Sequence, residues 1–349
     1  MGADPVSAGF SSREGKIPRP GTGTLTFALP VPGSPTFARL RKETWTMTAK
    51  RAFLYLLPVV LAVAAAGLLA SRSFAASETT VAALTGETHF HGLAVDPRDP
   101  DRLYLATHHG LFAVGPDGTA RQISDSRDDF MGFTPHPAEA EVLYASGHPA
   151  SGGSLGFIVS RDGGRSWSKL ADGAGGPVDF HQMDVSKADP AVVYGVFGDL
   201  QRSADGGRSW TVVGPVPEGL IALAASAKDG DRLYAATRGG LLLSTDGGRQ
   251  WRPAHLLRTP ATAVHVMADG TVYAFIVSTG LVRVSEPDFR WATIGNGFGD
   301  AYVLHLAAAA TGETHRLYAV TLDPSTRAQA LQVSRDGGRS WSRVGEAPG

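Results

Sequence analysis

Six tyrosines set the period of this chain, each preceded by Leu or Val and opening a short aliphatic run: Tyr104, Tyr144, Tyr194, Tyr234, Tyr273 and Tyr318. They stand 40, 50, 40, 39 and 45 residues apart. A repeat of that length has room for four short strands, which is the blade of a β-propeller, a unit that buries its faces only against neighbouring blades. Ahead of each tyrosine comes an apolar residue, Phe90, Phe130, Phe180, Leu220, Val264 or Leu304, as expected for an innermost strand buried between blades. The second unit shows the predicted order, with strands over 130–134, 142–146, 156–160 and 166–170. The pattern predicts an all-β, six-bladed β-propeller.

A polar octet punctuates the same period. It runs Ser160-Arg161-Asp162-Gly163-Gly164-Arg165-Ser166-Trp167 and recurs over 203–210, 244–251 and 334–341. Asp can accept backbone N–H bonds, Gly takes φ > 0, and Trp at a fixed offset can wedge into a neighbouring layer, so each octet predicts a hairpin turn between the third and fourth strands. In unit five the octet has decayed to Ser285-Glu286-Pro287-Asp288-Phe289-Arg290-Trp291, and unit one keeps Gly115-Pro116-Asp117-Gly118.

On these octets the chain resembles the Asp-box, or BNR-repeat, propellers over residues 88–346. That group includes sialidases, sortilin-type receptors, xyloglucanases, photosystem II assembly factors and many exported bacterial proteins labelled glycosyl hydrolases. The resemblance implies that the boxes are structural and lie opposite the binding face. Asp162, Trp167, Asp205, Trp210, Asp246, Trp251, Asp336 and Trp341 are therefore expected to hold turns.

The two ends divide the chain further. Residues 1–46, rich in Pro, Gly, Ser and Thr, lack hydrophobic periodicity and predict a disordered extension that need not be translated if Met47 is the true start. Over 47–76, Lys50 and Arg51 precede an apolar run at 52–70 and the small-residue segment Ser73-Phe74-Ala75, the layout of an export signal. Left uncleaved, 52–70 would be a membrane anchor and the one membrane contact. Residues 77–349 are the propeller, placed outside the cytoplasm.

Composition narrows the chemistry. The chain has no cysteine, which removes disulfides and thiolate metal sites. Its 32 basic and 33 acidic residues leave a formal charge of −1, with no basic stripe for nucleic acid.

The 11 histidines are not scattered. Counting 13 residues back from the tyrosines lands on His91, Met131, His181, Ile221 and, in unit six, His305. In unit five the connection is shorter, and His265-Val266-Met267 aligns with His181-Gln182-Met183. These positions predict a ring around the central channel. Two residues earlier stand His89, Asp129 and Asp179, against Gly219, Ala263 and Val303 in units four to six, so the polarity occupies one sector. Four residues after the tyrosines come His108, His148 and Arg238, with His109 beside the first, in loops at the same end.

One expectation is a metal site on His91, Met131, His181, His265 and His305, suited to copper, zinc or iron, with His89, His108, His109, His148 and Arg238 around a bound ligand. A second is glycoside hydrolysis with Asp129 and Asp179 as the carboxyl pair. Against a sialidase, the chain lacks an Arg-Ile-Pro motif at the start of the propeller and a recognisable arginine triad. A third is a non-catalytic scaffold, with loops 148–156 and 323–329 as a rim. The expected partners are accordingly a small ligand, a glycan or an exported protein.

Overall fold

The computed structural model describes residues 78–346. They form six antiparallel sheets. Blade one holds β1 (Glu78–Thr80), a short helix α1 (Val81–Glu87), and then β2 (Phe90–Asp96), β3 (Asp99–Thr107), β4 (Gly110–Val114) and β5 (Thr119–Gln122). Blade two is β6 (Asp129–Pro135), β7 (Leu143–His148), β8 (Phe157–Ser160) and β9 (Ser168–Ala171). Blade three is β10 (Gln182–Val185), β11 (Val193–Phe197), β12 (Asp199–Ser203) and β13 (Thr211–Pro215). Blade four is β14 (Leu220–Ala225), β15 (Leu233–Thr237), β16 (Gly240–Ser244) and β17 (Arg252–Pro253). Blades five and six are β18 (Ala261–Val266) to β21 (Ala292–Gly295) and β22 (Tyr302–Thr311) to β25 (Ser342–Arg343).

Each blade is an up-and-down meander, so its four strands follow chain order from channel to rim. β1 adds a fifth strand at the rim of blade one, pairing with β5. The ring closes by side-chain packing between blades one and six, without a shared strand: Phe90, Leu93 and Leu105 meet Tyr318, Val320 and Leu331. Hydrogen bonds also cross this seam, from Arg316 to Asp101, from Tyr318 Oη to Pro100 O (2.8 Å), from Phe90 N to Gln329 Oε1 (3.1 Å) and between His305 Nε2 and Phe90 O (3.1 Å).

The six tyrosines are all buried on second strands, and most spend their hydroxyls on an anchor. Tyr194 donates to Gly230 O of the next blade, while Tyr273 bonds His315 across the next seam at 2.8 Å. A buried hydroxyl without such a partner would carry the full cost of desolvation.

The four octets fold alike. In blade two, Asp162 Oδ1 accepts from the Arg165 and Ser166 amides, Ser160 Oγ accepts from Gly164 N, and the Trp167 indole donates to Gly164 O at 3.0 Å. Trp210 shows where the indole goes: it packs between Phe157 of blade two and Phe180 of blade three, with ring centroids 5.1 and 4.8 Å away. Trp167, Trp251 and Trp341 fill the corresponding seams.

Blade five lacks the octet and uses the position differently. Glu286 reaches back to blade four, accepting from Ser226 Oγ (2.6 Å), Ala227 N (3.0 Å) and Tyr234 Oη (3.1 Å). A turn residue has become an anchor between blades.

Among the described residues no helix is long and apolar enough to cross a membrane. The extension 1–46 and the export segment 47–76 lie outside the described residues.

Candidate functional site

The octet turns join third to fourth strands, so in an antiparallel blade the opposite end carries the start of the innermost strand and the turn between second and third strands. That end collects the polar residues. His91 sits in β2 where the register slips between Phe90 and Gly92, a bulge that re-aims its side chain. His108 lies in the turn between β3 and β4, and Asp129 opens β6 of the next blade. His91 Nε2 is 3.0 Å from His108 Nε2 and 3.7 Å from Asp129 Oδ1, and His108 Nδ1 is 2.8 Å from Asp129 Oδ2.

A second set repeats the composition one blade further on. His148 ends β7, and Asp179 and His181 lie just ahead of β10. Asp179 Oδ2 is 2.8 Å from His148 Nε2 and 2.6 Å from His181 Nε2. Each set thus brings two imidazoles and one carboxylate together, with donor atoms within 4.8 Å of one another. Asp129 Oδ1 and Asp179 Oδ1 are buried without a hydrogen-bond partner.

Two glycines permit these approaches. Gly147, beside His148, has φ +131°, and a Cβ there would lie 1.9 Å from Asp129 O. Gly132 has φ +46°, and its Cβ would lie 2.2 Å from Phe180 O, where blade two meets the segment bearing Asp179 and His181. Only a residue without a side chain lets these backbones pass so closely.

Electrostatics separate the imidazoles. Burial, followed by His108 beside it, lowers the His91 pKa to about 4 against the pull of Asp129; the lowered value favours the neutral imidazole, whose unprotonated ring nitrogen keeps a lone pair. His148 is raised, first by its hydrogen bond to Gly153 O and then by Asp179 and Asp129.

The strand register corrects the count made from the tyrosines. Tyr104 pairs with Ala94, Tyr194 with Asp184 and Tyr234 with Ala224, which puts His91, His181 and Ile221 at one level. In blade five Tyr273 pairs with His265 itself, and in blade six Tyr318 pairs with Ala307, so Thr262 and Leu304 occupy the level of His91. The reason is hairpin length: the first turn is shorter in blade five and longer by one residue in blade six. His265 therefore lies three residues, about 10 Å, further along the channel. His305 turns to the Phe90 carbonyl, and Met131 is buried.

His91, His181, His265 and His305 do line one central cavity, of about 630 Å³. The two donor sets draw in His91 and His181 but neither His265 nor His305. His89 and His109 flank His108, with ring centroids at 5.7 and 6.5 Å, and Arg238 is exposed on the turn of blade four. On blades four to six, Leu223, Val264 and Leu306 add apolar stretches of wall around His265 and His305. Deeper on the polar side, Asp184 pairs with Lys187 and accepts from Ala225 N at 2.8 Å. These two carry no signal in the sequence pattern, because neither falls at the mouth register. Burial and Lys187 lower the His265 pKa to about 4.

Asp129 and Asp179 do not stand free as an acid and base pair, since each is bonded to imidazole. What the arrangement can do is offer nitrogen and oxygen donors from two adjacent blade seams to a cation.

The molecule is a six-bladed β-propeller with a His-rich channel mouth. No family model matches the chain, and no curated protein matches it. Similar solved structures include the GH74 xyloglucanase from Xanthomonas campestris, 20% identical with TM-score 0.47 over 76% of this chain and 47% of that one. YCF48 from Cyanidioschyzon merolae is 16% identical with TM-score 0.45, over 78% of this chain and 90% of that one. The extracellular domain of a hybrid two component system from B. thetaiotaomicron is 12% identical with TM-score 0.49, over 77% and 34%. The chain spans less than half the length of the xyloglucanase.

Proposed function

We propose that this protein is an exported propeller that binds a divalent transition-metal ion at the His-rich mouth of its channel. The observation that carries the reading is the convergence of two imidazoles and a carboxylate within 4.8 Å, found twice at the same mouth. Two His and one carboxylate leave coordination positions open, a donor set that suits iron, zinc or copper. The spare oxygens of Asp129 and Asp179 add to the fit, because a buried carboxylate oxygen without a partner is costly unless something binds it. Export rests on the segment 47–76.

The test is metal binding itself. Protein stripped with a chelator is titrated with Zn²⁺ by calorimetry, and its metal content is measured after desalting. Retention of at least one equivalent, lost in a His108→Ala, His181→Ala double variant, is the expected result. Protein that stays metal-free at micromolar zinc overturns the reading.

A further inference from the structure

Resting on that reading, we propose that the mouth holds two metal ions side by side, one on His91, His108 and Asp129 and the other on His148, Asp179 and His181. The two sets share blade two. Asp129 and His148 are direct partners in the antiparallel β6–β7 ladder. Their Cα atoms are therefore about 5 Å apart with side chains on one side of the sheet, although each side chain serves a different set.

The internal spacing suits one ion per set. Donors about 2.0 to 2.1 Å from a tetrahedral ion stand roughly 3.3 Å apart. With one ring nitrogen per histidine, the donor separations in the first set are 3.2 Å from His91 Nε2 to His108 Nδ1, 2.8 Å from His108 Nδ1 to Asp129 Oδ2 and 3.7 Å from His91 Nε2 to Asp129 Oδ1. In the second they are 2.6 and 2.8 Å. Shifts of under about an ångström admit an ion in each, well within side-chain rotation. A single shared ion would leave at least two of the six donors unused, because tetrahedral coordination takes four.

Each set supplies three protein ligands, the number that leaves a position open for an exogenous group. The carboxylates have the oxygens to serve a pair of ions: Asp129 Oδ1 and Asp179 Oδ1 are both buried without hydrogen-bond partners. Asp179 is the stronger case at 3% exposure.

Metal stoichiometry decides the matter. Apo protein titrated with Zn²⁺, with bound zinc measured directly, is expected to take two equivalents. His108→Ala and His181→Ala, single changes outside the strands, are each expected to leave one tight equivalent and weaken the other by about 100-fold or more. His255→Ala, in neither set, keeps two. In the Co²⁺ form, electron paramagnetic resonance should show spin coupling in the unaltered protein and an uncoupled ion in each single variant, with circular dichroism confirming the fold. One equivalent, lost in both variants, means a single shared ion and overturns the proposal while metal binding stands. Two equivalents that survive both changes place the ions elsewhere and overturn it as well. No zinc at all fails both readings.

Discussion

Asp129 and His148 face each other across the β6–β7 ladder, yet their side chains belong to different donor sets. Asp129 bonds His108 of blade one, and His148 bonds Asp179 of blade three. Blade two thus carries one ligand to each of its neighbours, and the geometry of its first hairpin governs both sets.

That hairpin depends on Gly147. Its φ of +131° and the 1.9 Å approach that a Cβ would make to Asp129 O require the ladder to open if any side chain is added. Gly147→Ala is expected to destabilise the fold by more than about 1 kcal/mol and to weaken metal binding at both sets. Denaturant unfolding together with zinc titration checks this; unchanged binding would show that the hairpin does not set the site.

Trp210→Ala tests the role of the octets. The indole is 9% exposed between Phe157 and Phe180, so its removal leaves a cavity in the seam of blades two and three. A loss of about 3 to 5 kcal/mol is expected from urea unfolding. Full retained stability would mean that the tryptophan is not a wedge.

Glu286 is expected to matter as much, although it belongs to no repeat. Glu286→Ala removes the acceptor for Ser226 Oγ, Ala227 N and Tyr234 Oη and leaves Arg232, 3.7 Å from the carboxylate, without its partner. Breaking a buried ionic network of this kind costs about 3 to 5 kcal/mol. Glu286→Gln should recover part of that, because the amide oxygen still accepts. Equal stability of all three proteins in thermal unfolding would refute the anchor.

Acid should weaken the apo fold through the channel. The His265 pKa falls from 6.5 to about 4, mainly by burial. Between those values the unfolded chain binds more protons at this position, so the His265 contribution declines as pH drops from about 6.5 towards 4 and is constant below. Buried His305 acts in the same sense, and His148, with its raised value, acts against it. Urea midpoints at pH 7.5, 5.5 and 4.5 should fall, with a shallower decline in His265→Gln. Equal slopes in the two proteins would remove His265 from the account.

The sequence by itself determined the blade count, the strand order and the turns. Those features are local and periodic: a tyrosine within an aliphatic run marks a second strand, and Asp-Gly-Gly before Trp closes a hairpin whatever lies around it. It also singled out His91, Asp129, Asp179 and His181, which fall into the two donor sets.

The tertiary structure decided the grouping. Residue counts from the tyrosines gave a ring that included His265 and His305, but register follows hairpin length and bulges, and these differ in blades five and six. His108 meets Asp129, and His148 meets Asp179, only because neighbouring blades press their inner edges together, at Gly132 for example. A periodic pattern records which face of a strand is buried; it does not record which side chain the next blade will bring against it, since that contact forms between units that are independent along the chain.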